Sequence, residues 1–383
     1  MNLATTALHA LGLKEGTPLA PGLLDRDLLR GVERVSVVLV DGLGFEQLMA
    51  VKGKESLALF DAAASGVLKP ITTVSPSTTT TAMASVSTAS PPVAHGLLGY
   101  RLYLKEFACM ANMIKFAPVF GGTGFESRGV DPRSFLTATT VYQRLTAKGI
   151  PAMALTRKDY LGSALSKMIH AGAEVRGYAS ASDLVVPLRR FLESRKRGFV
   201  FAYWDLLDSL AHRYGALTPE YLAELSLLDH ALDREVFSKK GDGKTLLLLT
   251  ADHGHINVPT ENRINLQGHP DLVNDLLLPP AGEPRYAYLY PKPGRAAAVR
   301  EYLAKEFRGK AAVFTAAEAL KRGYFGPGVR HPAALDRLGE VHLTPTQDHA
   351  FLFPFPGEKS ELIGRHGGFS TAEMLVPLLA VRL

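Results

Sequence analysis

The chain has 383 residues, of which 46% are hydrophobic and 21% are charged, and its formal net charge at pH 7 is +6. This length and composition are typical of a soluble globular protein with one large α/β domain or two smaller domains. The single cysteine, Cys109, excludes an internal disulfide framework and a cysteine-rich zinc site.

The composition also bounds the location and the partners. No apolar stretch approaches the roughly 20 residues of a membrane helix, and the first residues lack the pattern of a secretory signal. We therefore expect a cytoplasmic protein without a membrane partner. The mild positive charge suits an anionic substrate, but no run of basic residues with interleaved aromatics predicts a nucleic-acid partner. Nothing in the sequence indicates the oligomeric state.

Apolar, β-branched runs alternate with helical patterns, and this alternation predicts an α/β fold with a mostly parallel central sheet flanked by helices. The clearest helix extends from Thr218 to about Lys239, with Thr218 as its N-cap and Pro219 as its first residue. We predict seven strands, at 34–40, 67–74, 150–155, 173–179, 198–204, 244–251 and 374–383.

Two stretches interrupt this alternation. Residues 98–133 are rich in aromatic residues and glycines. Residues 265–345 predict an inserted α+β cap subdomain within one catalytic domain that covers residues 1–383. Because insertions at strand ends commonly form the walls of a site, we expect both stretches to determine specificity. Within the insertion we predict a strand at 284–291, a helix at 294–307 and a strand at 310–314.

Three predicted strands lead into residues that suit a metal ion, in the segments VSVVLVDGLG, FVFAYWDLLDSLAH and TLLLLTADHGH. The carboxyl ends of parallel strands share one edge of a sheet, so these side chains can converge there. A late histidine, in GRHGGFS, precedes the last strand. The set contains three carboxylates and three imidazoles: Asp41, Asp208, His212, Asp252, His253 and His366.

Each of these features has an ordinary explanation when it stands alone. Asp41 can begin a turn, Asp208 and His212 can form an ion pair on a helix surface, and Asp252 can cap a strand end. Their joint occurrence favours a metal centre. Carboxylate and imidazole ligands without thiolates suit Zn²⁺, with Mn²⁺ or Mg²⁺ less favoured, and about six ligands suit two ions.

Five motifs occur in order: VDGLG, PSTTTTAMASVSTASPPVAHGLLGY, DLLDSLAH, TADHGH and RHGG. Together they resemble the alkaline phosphatase superfamily, and within it they are most similar to the nucleotide pyrophosphatase/phosphodiesterase branch. The resemblance covers residues 41 to 383 at the level of motifs and implies an alkaline phosphatase-like fold with two zinc ions. By position, it implies one ion at Asp41, Asp252, His253 and the nucleophile, and a second ion at Asp208, His212 and His366.

The resemblance also implies a serine or threonine nucleophile at a helix N-terminus, nine residues before the threonine that precedes PPVAHG. Counting back from Thr88 gives Thr79, with Thr78, Thr80 and Thr81 as alternatives. Thr79 would attack phosphorus to form a phospho-threonine and would also be a ligand of the first ion.

The branch usually has an asparagine five residues after the histidine of that motif, where it donates a hydrogen bond to a phosphoryl oxygen. Here the residue is Tyr100, whose phenol can also donate. Arg101 and Lys105 are cationic alternatives of the kind that monoesterases use. Alternation along an extended segment predicts that Tyr100 and Arg101 point to opposite sides, so monoester and diester both remain open.

The sequence thus predicts a metal-dependent phosphodiesterase or nucleotide pyrophosphatase that acts on a small phosphate ester. The alternatives are a phosphomonoesterase or phosphonate hydrolase on the same scaffold, and a non-catalytic binding protein that retains the fold. His255 is not part of the predicted ligand set; it either orients a ligand or is an ordinary loop histidine, and Asp205 is a second candidate for an orienting role.

Overall fold

The central sheet has seven strands. A computed structural model describes residues 1–194, 196–239, 241–356 and 361–383 of the chain. The last strand of the sheet, Leu375–Arg382, runs antiparallel to both of its neighbours, and the remaining pairs are parallel. The predicted α/β fold with a mostly parallel sheet is therefore confirmed. In spatial order the strands are Val67–Thr72, Leu375–Arg382, Thr245–Thr250, Arg34–Val40, Gly198–Trp204, Ala152–Arg157 and Glu174–Tyr178.

All seven predicted strands coincide with strands of this sheet, within two residues at each end. The three middle strands, Thr245–Thr250, Arg34–Val40 and Gly198–Trp204, are buried at every position. Their apolar runs are nearly continuous because helices cover both faces of the sheet, so neither face needs polar side chains.

Helices on the two faces bury two apolar clusters. Val35 and Val37 point into one cluster, and Val38 and Val40 point into the other. In the described ranges, no helix has the length and apolar character needed to cross a bilayer. The α-helices are Asn2–Ala10, Arg26–Leu29, Phe45–Val51, Ala58–Ala64, Thr79–Thr88, Pro92–His95, Pro132–Phe135, Val141–Thr146, Ala164–Ile169, Ala181–Glu193, Leu206–Tyr214, Pro219–Leu232, Pro270–Asp275, Ala296–Glu306, Ala316–Lys321, Ala334–Leu338 and Thr371–Met374.

The helix expected from Thr218 begins as predicted, with Thr218 as N-cap and Pro219 as its first residue. Its α-helical part ends earlier than predicted, at Leu232. A π-helical turn, Asp233–Phe237, continues it almost to the predicted end.

A second sheet, which is antiparallel throughout, contains the strands of both interrupting stretches. The three elements predicted in the insertion lie at Tyr286–Pro291, Ala296–Glu306 and Ala311–Thr315. The insertion and the aromatic stretch join where Gly282 pairs with Arg101. The strand order is Ala311–Thr315, Val341–Pro345, Tyr286–Pro291, Leu276–Glu283, Arg101–Leu104, Cys109–Asn112 and Ala117–Pro118.

Two further pairs of short strands complete the sheets. Ile256–Asn257 pairs with Gly364–Arg365, and Arg263–Asn265 pairs with Ala350–Leu352. The first of these pairs places the segment that follows His253 beside the segment that leads into His366.

A buried ion pair ties the second sheet to the central sheet. Arg285, in the turn before Tyr286–Pro291, donates from Nε and Nη2 to the two carboxylate oxygens of Glu373, at 2.8 Å each. Glu373 lies in the helix that leads into the last strand of the central sheet and also accepts from the Gly368 N–H at 2.9 Å. The loop that carries His366 is therefore fixed relative to both sheets.

This tie gives a stability prediction. Substitution Glu373→Ala should lower the free energy of unfolding by about 3–5 kcal/mol, because it leaves Arg285 buried without its counter-charge. Urea unfolding followed by circular dichroism measures the change. The matched control is Asp275→Ala, which breaks the solvent-exposed pair of Asp275 with Arg295 and should have a much smaller effect. Equal losses in the two variants would contradict the structural role of the buried pair.

Candidate active site

The carboxyl ends of three adjacent strands bring the predicted acidic residues together. Asp41 directly follows Arg34–Val40, and Asp252 lies two residues after Thr245–Thr250. Asp208 lies in the first turn of the helix that follows Gly198–Trp204. His366 reaches this edge because the last strand is antiparallel and begins there.

Asp41, Asp252 and His253 form one group, with ligand atoms within 4.8 Å of one another. The Nε2 atom of His253 lies 3.4 Å from Asp41 Oδ1 and 3.4 Å from Asp252 Oδ2. The other oxygens are engaged: Tyr203 donates to Asp41 Oδ2, and the Gly42 N–H donates to Asp252 Oδ1 at 3.2 Å. Asp41 Oδ1 and Asp252 Oδ2 are buried and accept no hydrogen bond from the described residues.

Asp208 is the centre of a second group. Its Oδ1 atom lies 3.0 Å from His255 Nε2, 3.3 Å from His212 Nε2 and 3.9 Å from His366 Nε2. Asp208, His253, His255 and His366 place ligand atoms within 4.8 Å of one another. His212 contacts Asp208 but is not part of that tighter set.

The four histidines share one orientation. In each ring Nδ1 lies near a backbone carbonyl oxygen, and since a carbonyl only accepts, Nδ1 carries the hydrogen. The lone pair on each Nε2 therefore faces the carboxylates. The Nδ1–oxygen distances are 2.7 Å for His212 and Gly364, 3.2 Å for His253 and Gly254, 3.3 Å for His255 and Gly42, and 3.0 Å for His366 and Ser77.

This arrangement fits divalent cations. Burial raises the pKa of Asp41 well above its ordinary value, and the charges of Asp252 and Asp208 raise it further. Burial lowers the pKa of His253 and of His366. Carboxylate oxygens and imidazole lone pairs that face one another repel unless positive charge lies between them. The oxygen and nitrogen donors are of the type that Zn²⁺ binds.

Thr79 is the first residue of helix Thr79–Thr88, and its Oγ1 lies 3.4 Å from His253 Nε2. The hydroxyl of Thr78 donates to Glu283 at 2.7 Å. The side chains of Thr80 and Thr81 are fully buried, and their hydroxyls have no hydrogen-bond partner among the described residues. Of the four threonines, Thr79 thus places its hydroxyl beside the acidic and imidazole groups.

Two cavities meet at Thr79 and Asp208, which line both of them. The larger cavity, about 380 Å³, is bounded by strands of the second sheet, and its lining includes Arg101, Lys115 and Arg365 as well as Asp208 and Glu283. The smaller cavity, about 170 Å³, is lined mainly by hydroxyl and apolar side chains. Both predicted interrupting stretches contribute to the larger cavity.

Tyr100 and Arg101 both line the larger cavity. Tyr100 lies in a bend before the strand Arg101–Leu104, and strand alternation therefore does not apply to it. The Asn112 side-chain amide donates to the Tyr100 phenol oxygen at 2.6 Å. Lys105 forms an ion pair with Asp336 at 3.3 Å and does not line either cavity.

The sequence profile of the type I phosphodiesterase/nucleotide pyrophosphatase family matches residues 35–369. The chain belongs to this family. The match confirms the predicted resemblance and the predicted class of enzyme, a phosphoric ester hydrolase. No curated protein shows a significant sequence match to the chain.

Solved structures of low sequence identity share the fold of this phosphodiesterase-family protein. Human ectonucleotide pyrophosphatase/phosphodiesterase 5 has a TM-score of 0.69 at 18% identity, over 91% of this chain and 87% of that chain. A variant of the murine counterpart that a substitution makes inactive, in complex with AMP, has a TM-score of 0.68 at 18% identity, over 91% of this chain and 88% of that chain. Phosphonoacetate hydrolase from Sinorhizobium meliloti 1021, in complex with phosphonoformate, has a TM-score of 0.67 at 20% identity, over 92% and 90%.

His255 is not in the ligand set predicted from the sequence, yet its Nε2 lies closer to Asp208 than that of His212 does. The chain makes room for the ring at Gly42, which has φ +77°, because a Cβ atom there would lie 2.5 Å from His255 Cε1. The sequence feature that could have indicated this role is that His255 stands only two residues after the predicted ligand His253. Asp205, by contrast, accepts hydrogen bonds from Tyr160 and Arg157.

No motif in the sequence points to Glu283, the last residue of strand Leu276–Glu283, which lines the larger cavity. Its Oε1 accepts from the Thr78 hydroxyl at 2.7 Å and from the Tyr100 N–H at 3.0 Å. Burial raises the pKa of Glu283 to about 7, although these hydrogen bonds and the charges of Arg101 and Arg365 oppose the shift.

This shift predicts a pH dependence of stability. The folded protein binds the Glu283 proton more tightly than the unfolded chain, so protonation stabilises the fold. The contribution, of at most about 3 kcal/mol, is complete below the ordinary pKa of 4.5 and is lost as the pH rises through about 7. Glu283→Gln removes the titration. Urea unfolding across this pH range should therefore show the wild type losing stability relative to Glu283→Gln.

The matched control is Glu340→Gln, an exposed carboxyl beside a strand of the same sheet. Its stability should follow that of the wild type at every pH. A difference between wild type and Glu283→Gln that stays constant with pH would contradict the raised pKa.

Proposed function

We propose that this protein is a dizinc phosphodiesterase that hydrolyses small phosphate diesters through a phospho-threonine at Thr79. The observation that supports it best is the position of the Thr79 hydroxyl, beside the carboxylates and imidazoles and at the junction of two cavities. A diester has two substituents on phosphorus, and each cavity offers a place for one of them.

The donor groups suggest how two ions would be held. Asp41, Asp252 and His253, with the oxygen of Thr79, would hold one ion. Asp208, His212 and His366 would hold the other, and the 3.0 Å approach of His255 to Asp208 supports its addition to this set. When bound, such ions lower the pKa of a nearby hydroxyl and stabilise the negative charge that develops on oxygen.

The residues of the chain would then carry the following steps. The Thr79 hydroxyl gives its proton to solvent, and its oxygen attacks phosphorus as the bond from phosphorus to the leaving alcohol breaks. The leaving oxygen takes a proton from solvent. The first N–H groups of helix Thr79–Thr88 would donate to the phosphoryl oxygens, and the Tyr100 phenol would donate a further hydrogen bond. Water then attacks phosphorus, and the bond from phosphorus to the Thr79 oxygen breaks. The Thr79 oxygen takes up a proton from that water, and a phosphomonoester is released.

A second candidate, a phosphomonoesterase or phosphonate hydrolase, is favoured by the cationic lining of the larger cavity. Arg101, Lys115 and Arg365 suit a doubly charged substrate or one with a second anionic group. The resemblance in fold to a phosphonoacetate hydrolase agrees with this candidate. Under either function we propose that the insertion 265–345 acts as a cap over the site, since Glu283 and Pro284 line the larger cavity. The cytoplasmic location of the protein stays a prediction.

Substrate choice and the nucleophile can be tested together. With Zn²⁺ present, kcat/KM for bis-p-nitrophenyl phosphate should exceed that for p-nitrophenyl phosphate by about tenfold or more. Thr79→Ala should lower turnover by about 10⁴-fold or more, because it removes the attacking oxygen. Thr80→Val, which replaces the neighbouring buried hydroxyl by a methyl group, is the matched control and should remain active.

A preference for the monoester would move the conclusion to the second candidate. If Thr79→Ala stays active while Thr78→Ala or Thr80→Ala is inactive, the nucleophile is assigned to the wrong residue. No turnover of any ester and no metal after purification would favour a binding protein.

Metal content gives a separate test. We expect the purified protein to bind about two zinc ions per chain, measured by mass spectrometry, and to lose activity with a chelator and regain it with Zn²⁺. Asp208→Asn should lose mainly one ion. The control is Asp205→Asn, the same substitution three residues earlier, which should retain both ions. A zinc content in Asp208→Asn equal to that of the wild type would remove Asp208 from the ligand set.

A further inference from the structure

Three segments of the active site meet at the side chain of Glu283. Its carboxylate accepts from the hydroxyl of Thr78, directly before Thr79, and from the N–H of Tyr100. Its aliphatic part lies against Gly367, directly after His366. A Cβ atom at Gly367 would lie 2.7 Å from Glu283 Cβ, and its φ of +113° also favours glycine. One side chain thus contacts Tyr100 itself and the residues next to Thr79 and His366.

Glu283 is held from the second sheet. Gly282 pairs with Arg101, and Glu283 pairs with Tyr286 across the hairpin. The turn of that hairpin contains Arg285, whose ion pair with Glu373 is buried. The carboxylate is therefore presented by a rigid hairpin, and the segments that contact it take their positions from that hairpin.

The hydroxyl of Thr78 has an unusual direction for its position. Thr78 is the N-cap of helix Thr79–Thr88, and a threonine at an N-cap commonly accepts a hydrogen bond from an N–H of its own helix. Here it makes no such bond and donates to Glu283 instead. The first N–H groups of the helix are thereby left uncapped by a side chain, on the side where a phosphoryl group would bind.

Simple stabilisation does not account for a carboxylate at this point. Glu283 is only 6% exposed, and burial of its carboxyl group costs free energy. An apolar side chain could join the same segments without this cost. The hydrogen bonds, in contrast, fix direction: one turns the Thr78 hydroxyl away from the helix end, and the other fixes the backbone at Tyr100.

We propose that Glu283 is a positioning residue for phosphoryl transfer: it aligns Thr79 with Tyr100 and keeps the N-terminus of helix Thr79–Thr88 open to the substrate. This inference rests on the proposed role of Thr79. Through Glu283 the insertion would take part in catalysis, in addition to forming a wall of the cavity.

Kinetics with bis-p-nitrophenyl phosphate test this role. Glu283→Ala should lower kcat by about 10²-fold, as expected for a displaced nucleophile, with KM changed by less than about threefold. Glu283→Gln should recover kcat to within about tenfold of the wild type, because its amide oxygen can accept both hydrogen bonds. Thr78→Val removes the donor and keeps the shape, and should lower kcat by a similar factor.

The double variant Thr78→Val/Glu283→Ala makes the test specific. Because the two residues act through one hydrogen bond, its kcat should be no lower than about that of Glu283→Ala alone. Glu340→Ala, an exposed glutamate beside the same sheet, is the matched control and should leave kcat unchanged. Zinc content and thermal unfolding of every variant should match the wild type closely enough to exclude loss of ions or of fold.

Several results would overturn the proposal: a kcat of Glu283→Ala within threefold of the wild type, a Glu283→Gln variant as slow as Glu283→Ala, or fully additive losses in the double variant. If Glu283→Ala does not fold, an unchanged kcat in Thr78→Val overturns it equally. Failure of the proposed function is recognised separately, by an inactive wild type or an active Thr79→Ala.

Discussion

Three carboxylates and four imidazole nitrogens face one another inside this protein, in two adjacent groups that share His253, and the lone pairs on Nε2 are directed at the carboxylates. No packing of neutral side chains makes such a cluster favourable, since acceptors repel acceptors. The surrounding structure holds the outer atoms of the cluster in place: backbone carbonyls accept the Nδ1 hydrogens, Tyr203 donates to Asp41, and the Gly42 N–H donates to Asp252. The fold therefore stabilises a cluster of hydrogen-bond acceptors that would otherwise repel one another.

The sequence predicts those parts of the fold and the site that local patterns of residues determine. Continuous apolar runs identify the buried strands, and Asp41, Asp208 and Asp252 stand out because each follows such a run. Glu283 and Asn112 carry no comparable pattern. They reach the site through an antiparallel sheet in which Leu276–Glu283 pairs with Arg101–Leu104, a strand far away in the chain, and pairing between distant strands leaves no periodic trace. Tyr100 lies in a bend and not in a strand, so the period of two along a strand does not describe its position.

Family membership and the details of the site contribute different information. The family match and the similar structures establish a common scaffold, but at 18–20% identity the surroundings of the reacting phosphorus are set by this chain's own residues. The amide of Asn112 bonded to the Tyr100 phenol, the third imidazole from His255 and the carboxylate of Glu283 are local features. They define a pocket with its own distribution of charge, in which cationic groups lie on one side of Thr79 and hydroxyl groups on the other.

The buried pair of Arg285 and Glu373 restricts how the molecule can move. Glu373 bonds the backbone of the His366 loop, and Arg285 belongs to the hairpin that forms the cavity wall. Swinging that wall outward would pull on the loop and disturb the donor atom of His366. The shape of the cavity and the position of the His366 ring are therefore coupled through a single buried ion pair.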